Sequence, residues 1–201
     1  GVHNINLVSP THYAPQILEA LMLARQQGLK IPAVYNTGGY DSVELLEVLR
    51  GKIEIYMPDF KYFDNERAWK YSGAINYVEV ARAGIAEMYR QVGNIKLDRE
   101  GFAASGILVR HLVLPNNLAD SKKVLDYLAS LSKEMQVSIM AQYNPQFRAL
   151  EFPELSRRLQ LEEYKEVVRY AKKIGLHNLY VQDLISSETY LPDFKKENPF
   201  I

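Results

Sequence analysis

Six short runs rich in Val, Ile, Leu and Tyr alternate with segments whose apolar residues recur every three or four positions. The runs are Asn4–Ser9, Ala33–Thr37, Ile53–Asp59, Ile107–Pro115, Val137–Tyr143 and Asn178–Asp183. Near-continuous apolar runs suit strands buried on both faces, and strand–helix alternation calls for parallel strands joined by right-handed crossovers. The helical segments are well punctuated. Pro15 suits a first turn, Ile17, Leu18, Leu21 and Ala24 share a face, and Gly28 suits the position past the end. Asp41 with Glu44 reads as a capping box ahead of Leu45, Leu46, Val48 and Leu49, with Gly51 as the stop. Asn76 with Glu79 opens a longer helix carried by Ala81, Ile85, Met88 and Val92. Val124, Leu125, Leu128 and Leu131 follow Asp120-Ser121, and Tyr164, Val167, Val168, Ala171 and Ile174 end at Gly175.

Two segments break the rhythm. Ile95–Phe102 reads as a short hairpin or excursion, and Asn144–Gln160 is a long connection rich in Pro, Arg and Glu, of the kind that is usually functional or mobile. A complete eight-fold α/β barrel needs about 250 residues. Six units in 201 residues therefore make either an incomplete barrel or an open doubly wound sheet. Residues 1–191 form the domain in this reading, and 192–201 a loose polar tail. The balance of 24 basic and 24 acidic side chains gives no global pull toward nucleic acid or acidic membranes. The dispersed Tyr and basic residues offer no stacking platform for single strands. No run approaches a membrane span and no basic-then-apolar leader precedes the first strand, so the expectation is a cytoplasmic protein. With no Cys there is no disulfide, thiolate nucleophile or Cys-held metal cluster within these residues.

In both candidate architectures ligands bind at the C-terminal ends of strands. Those ends read Ser9-Pro10-Thr11-His12, Asn36-Thr37-Gly38-Gly39, Asp59-Phe60-Lys61, Pro115-Asn116-Asn117, Gln142-Tyr143-Asn144 and Gln182-Asp183. Singly, each has an ordinary reading as a cap or turn. Arg110 and His111 lie inside the fourth strand, and alternation turns one of them inward. Asp59 and Lys61 lie two apart on one strand face. Such charges must meet each other as an internal ion pair or meet a ligand, because buried charge without a partner is costly. The set as a whole favours a polar small-molecule pocket. Gly38-Gly39 allows close backbone approach to a ribose or phosphate, but lacks both the Walker Lys-Ser/Thr and the GxGxxG spacing. His3, His12, His111 and His177 show no metal-site spacing, and there is no nucleophile elbow.

Taken in order, Tyr35-Asn36-Thr37-Gly38-Gly39-Tyr40, Tyr56-Met57-Pro58-Asp59-Phe60-Lys61 and Val109-Arg110-His111-Leu112-Val113-Leu114-Pro115 resemble strand ends of radical S-adenosylmethionine enzymes. Within them the chain is similar to the glycyl-radical activating group and to uncharacterised homologues of pyruvate formate-lyase activating enzyme, from about Asn4 to Asp183. The resemblance implies an α/β fold, a partial (βα)6 barrel of the TIM type with mostly parallel strands, with S-adenosylmethionine across the strand C-termini. It implies cofactor contacts at Ser9, Thr11, Asn36, Thr37, Asp59, Lys61, Arg110 and Asn144, with Lys61 as a carboxylate contact. In the family a reduced 4Fe-4S cluster cleaves the cofactor to a 5′-deoxyadenosyl radical that abstracts hydrogen, and the protein positions it and excludes water. Two departures stand out. The family's CxxxCxxC and the strand before it are absent, and Ser9-Pro10-Thr11-His12 replaces its Gly-Gly-Glu. The chain also opens at Gly1, so it is read as an N-terminally truncated radical enzyme, inactive by itself, rather than as a degenerate homologue.

Two other readings compete. Asp59-Phe60-Lys61-Tyr62-Phe63-Asp64 resembles the D-x-K-x-x-D form of orotidine-phosphate decarboxylase-like barrels, where Asp59, Lys61 and Asp64 would act electrostatically at a carbanion centre. That chemistry needs a Gly-rich phosphate loop near the last strands, and Asn178–Ser187 contains no glycine. The second is a non-catalytic binding fragment or pseudoenzyme. Without a preceding strand, the edge beside Asn4–Ser9 would invite self-association. For the radical reading the expected partner is a glycyl-radical enzyme or a similar protein, met by the Asn144–Gln160 and Ile95–Phe102 segments.

Overall fold

The computed structural model describes residues 1–182; Asp183 and the expected tail at 192–201 lie outside the described residues. Strands β1 (Ile5–Val8), β2 (Ala33–Thr37), β3 (Ile55–Pro58), β5 (Ala103–Leu112), β6 (Gln136–Met140) and β7 (Leu179–Val181) lie side by side, all parallel, in chain order. The short β4 (Lys96–Leu97) pairs antiparallel with the start of β5, which makes the Ile95–Phe102 excursion a hairpin. This is an α/β fold with a seven-stranded, mostly parallel sheet. A doubly wound sheet reverses its strand order at a switch point. Here the order never reverses, so the winding is that of a partial TIM-type barrel and the open doubly wound alternative falls.

The helices are α1 (Ala14–Gln26), α2 (Val43–Leu49), α3 (Asn65–Ser72), α4 (Tyr77–Val92), α5 (Ser121–Leu131) and α6 (Leu161–Lys173). The core lies between them and the outer sheet face. Tyr35, Tyr56, Ile107, Val109 and Ile139 from the strands are fully buried with Ile85, Met88, Val124, Leu125 and Leu128 from the helices. Side chains alternate along each strand, so Val34, Asn36, Met57, Leu108 and Arg110 fall on the opposite face. That face curls. Asn6, Val34, Met57, Leu108, Gln136 and Tyr180, one from each parallel strand, line a single cavity of about 350 Å³. Among the described residues β1 pairs only with β2, and β7 only with β6, so the curled sheet keeps two edges.

The local signals mostly hold, with a correction at the start of α2. Ser42, not Asp41, caps α2, its side chain accepting from the Leu45 N–H at 3.2 Å. Asn76 and Asp120 stand at the N-termini of α4 and α5 but adopt left-handed backbone conformations and make no side-chain cap. Helix α3 goes beyond the elements read from the sequence. Asp64 caps it and Gly73 ends it at φ 65°, while its single Trp, Trp69, points outward at 58% exposure, so no apolar stripe announces it. No helix among the described residues is long and apolar enough to cross a membrane.

Candidate functional site

The C-terminal rim of the sheet brings Asp59, Lys61 and Arg110 together. Asp59 follows β3 and forms an isolated parallel bridge with Arg110 of β5. Its Oδ1 accepts from Arg110 Nε at 2.8 Å and lies 2.7 Å from Nη2. Its Oδ2 lies 3.7 Å from Lys61 Nζ. The carboxylate is 15% exposed and the lysine 46%, so Arg110 is the fixed partner and Lys61 the loosely held one. Two cations around one carboxylate leave the trio with one positive charge in excess. Backbone bonds set this geometry: Asp59 N–H to Thr37 O at 2.9 Å and Phe60 N–H to Arg110 O at 2.8 Å. The Lys61 N–H donates to the Tyr77 hydroxyl at 2.8 Å, and burial pushes that hydroxyl's pKa up.

Alternation puts Arg110 on the curled face and sends His111 to the helix side. His111 is fully buried, with Nδ1 2.7 Å from the Phe60 carbonyl and Nε2 2.8 Å from Ser121 Oγ. A carbonyl only accepts, so Nδ1 carries the proton and Nε2 accepts from Ser121. Burial drives its pKa down to about 4, and it stays a neutral strut between β5 and α5. His12 lies exposed in the Pro10–Tyr13 turn.

The β2 end is built around the Asp41 carboxylate, which caps no helix. Asp41, 1% exposed, accepts from Thr11 Oγ1 at 2.6 Å and from Tyr35 OH at 3.1 Å on Oδ1, and from Thr37 Oγ1 on Oδ2. Thr37 Oγ1 also receives the Gly39 N–H at 3.3 Å. The Thr11 and Thr37 hydroxyls thus shape the rim, tying the turn after β1 to β2. Gly39, at φ 77°, is packed so closely that a Cβ there would lie 1.8 Å from the Asp59 carbonyl oxygen. Gly38 has room: a Cβ would lie 3.7 Å from Lys61 Nζ. Ser9 is exposed at φ 52°, its N–H donating to Asn36 O at 2.9 Å. Asn36 is 9% exposed, and its carboxamide has no hydrogen-bond partner among the described residues.

Asn144 and Asp64 stand apart from this group. Asn144 Oδ1 accepts from Gln146 Nε2 at 3.2 Å, within the long connection. Asp64 accepts from the Glu66 and Arg67 N–H groups at 2.9 and 3.1 Å, which removes it from the D-x-K-x-x-D constellation and leaves that lyase reading without its second aspartate. Asp41 and Tyr77 were missed as site-shaping residues, because their roles depend on contacts between separate loops.

A 4Fe-4S cluster does not fit this chain. It has no cysteine, and no group of three or more His, Asp or Glu among the described residues is placed to hold a metal. What the rim does offer is an excess cation and a carboxamide without a hydrogen-bond partner among the described residues.

No family model matches the chain. It is 30% identical over 180 residues to an uncharacterized protein from Methanocaldococcus jannaschii, an alignment covering 88% of this chain and 48% of that protein. The chain therefore spans about half the length of the curated relative it matches. In structure it is similar to a crystallised domain of a pyruvate-formate lyase-activating enzyme from Bacteroides vulgatus, with a TM-score of 0.62 and 14% identity. That match covers 91% of this chain and 99% of the domain, and at such identity it establishes the shared fold.

Proposed function

We propose that this chain forms the S-adenosylmethionine-binding portion of a radical enzyme similar to pyruvate formate-lyase activating enzyme, with a glycyl-radical enzyme or similar protein as its substrate. The carrying observation is the Asp59–Arg110–Lys61 group at the strand ends, with Asn36 buried on the adjoining strand β2. Arg110 neutralises Asp59 and holds it still. Lys61 is left free enough to meet a carboxylate, and a half-exposed ammonium pairs with one at little desolvation cost. Asn36 can both donate and accept, which suits the polar edge of a nucleoside or amino acid. The Asp41 network keeps the Thr37–Gly39 backbone in place while the ligand enters. S-adenosylmethionine supplies the cleavable sulfonium in this family. The share of these residues is to bind it, orient it and exclude water.

Calorimetric titration with S-adenosylmethionine tests the reading. Weak binding, reduced about tenfold in both Lys61→Ala and Asn36→Ala, is the expected result. Binding that both variants leave unchanged, or none at about millimolar ligand, a concentration at which even weak complexes form, refutes the placement at this rim.

A further inference from the structure

The long connection between β6 and α6 is strapped down over part of its length. Glu154 takes the ammonium of Lys70 and the Tyr71 hydroxyl, both from α3, the latter at 2.8 Å. Arg157 reaches both oxygens of Glu163 at 2.8 Å and Asn116 Oδ1 at 2.6 Å. Asn116 returns its N–H to Glu163 at 2.8 Å and its amide to the Glu154 carbonyl at 2.9 Å. The Lys70 and Arg157 charges hold the Glu154 and Glu163 carboxyls down at about 2. The unstrapped part, a 3-10 turn over Phe147–Glu151, overhangs a cavity of about 360 Å³.

Rings of Tyr62, Tyr71, Tyr143, Phe147 and Phe152 line this cavity. The three hydroxyls are engaged elsewhere: Tyr62 with Ser72 at 3.0 Å, Tyr71 with Glu154, and Tyr143 with the Leu155 carbonyl at 2.8 Å. What remains for a ligand is mainly aromatic surface, with Lys70 Nζ already 5.2 and 5.5 Å from the Tyr71 and Phe152 ring centres and the Gln146 side chain at the lining. The volume falls in the range of small-molecule sites and exceeds the roughly 150 Å³ that suffices for a benzene ring. Phe147 is 91% exposed at φ 49°, and a ring stacked on it would cover part of that apolar surface. Beside it Arg148, its side chain 80% exposed, meets only Glu151 among the described residues, at 3.4 Å, which leaves most of its guanidinium donors open to an anion there.

The geometry points to a binding site for a small aromatic carboxylate, its ring among the Tyr and Phe walls and its carboxylate on Arg148. One guanidinium at the rim matches a single carboxylate charge. The cavity opens at the same end of the sheet as Lys61, the residue before Tyr62. A ligand here would be a second molecule beside the Asp59–Arg110 site, and its binding requires no S-adenosylmethionine.

Calorimetry of the whole chain with phenylacetate, indole-3-acetate, phenylacetamide and cyclohexylacetate tests this. Both aromatic carboxylates bind, and the amide and the saturated ring bind about tenfold more weakly. Arg148→Glu, on the surface, lowers phenylacetate affinity about tenfold and leaves phenylacetamide unchanged. Ala149→Trp, which fills the cavity, abolishes binding of all four, with circular dichroism reporting the fold. Neither variant changes S-adenosylmethionine affinity, so the two sites fail or stand separately. The site is refuted by no binding at about 10 mM, where even millimolar affinities register. Equal affinity for phenylacetate and its amide also overturns it, and so does binding that survives Ala149→Trp.

Discussion

Replacing Gly39 by Ala tests how the rim is held. Gly28, Gly38 and Gly39 separate two costs that usually come together. Gly28 has φ 98° with nothing within 4 Å of a built Cβ, so Gly28→Ala meets backbone strain alone. That strain is about 1–2 kcal/mol, offset by about 0.5 kcal/mol from the stiffer unfolded chain. Gly39 adds a collision: its Cβ would lie 1.8 Å from Asp59 O, while real Cβ atoms essentially never come within 3.0 Å, so the two strand ends must part by about 1.2 Å. Parting them strains the Asp59 N–H bond to Thr37 and the Asp59–Arg110 pair, each worth about 1 kcal/mol or more. Gly39→Ala should therefore cost about 2 kcal/mol more than Gly28→Ala. With a urea slope of about 2 kcal/mol/M, this lowers the midpoint by about a further 1 M. Gly38→Ala, whose Cβ has ordinary room, should lie within about 0.5 kcal/mol of the parent. If Gly39→Ala and Gly28→Ala unfold within about 0.5 kcal/mol of each other, beyond the usual error of such comparisons, the packing of this loop on Asp59 is wrong.

Lys61→Ala should barely change stability, within about 0.5 kcal/mol, because its pair with Asp59 is long and half exposed. Arg110→Ala, which strands a mostly buried carboxylate, should cost about 2–3 kcal/mol in the same urea titration; equal effects would contradict the assigned roles. Asp41→Ala removes the carboxylate that the Thr11, Thr37 and Tyr35 hydroxyls share, leaving Tyr35 only its 3.4 Å contact to Thr11, and should cost about 3 kcal/mol in thermal unfolding. The pKa of His111 falls on folding from 6.5 to about 4, so below 6.5 the unfolded chain binds a proton that the native state refuses. Its stabilising contribution is complete above pH 6.5 and is lost as pH falls toward 4, by about 3 kcal/mol at most. His111→Gln should flatten that slope, and the NMR signal of the native imidazole should stay neutral at about pH 5.5, between its two pKa values; titration near 6.5 refutes the burial argument.

The sequence by itself determined the βα rhythm and where five of the six helices among the described residues fall, because burial against a sheet leaves a three-to-four-residue apolar stripe that a single chain carries in its own order. It also marked Asp59, Lys61 and Arg110, since charges at the ends of apolar strands are conspicuous wherever the strands pack. Only the tertiary structure decided barrel winding over a doubly wound sheet, because both carry the same local alternation and differ only in which strands become neighbours. It alone sent His111 to the helices and Arg110 to the curled face, since alternation fixes that the two differ and not which is which. Asp41 shows the same limit: a carboxylate three residues before Glu44 looks like a cap, and only the approach of Thr11, Tyr35 and Thr37 makes it the anchor of the rim. The aromatic cavity was equally invisible, because its rings come from three separate segments that meet only when the strap at 144–160 closes over α3.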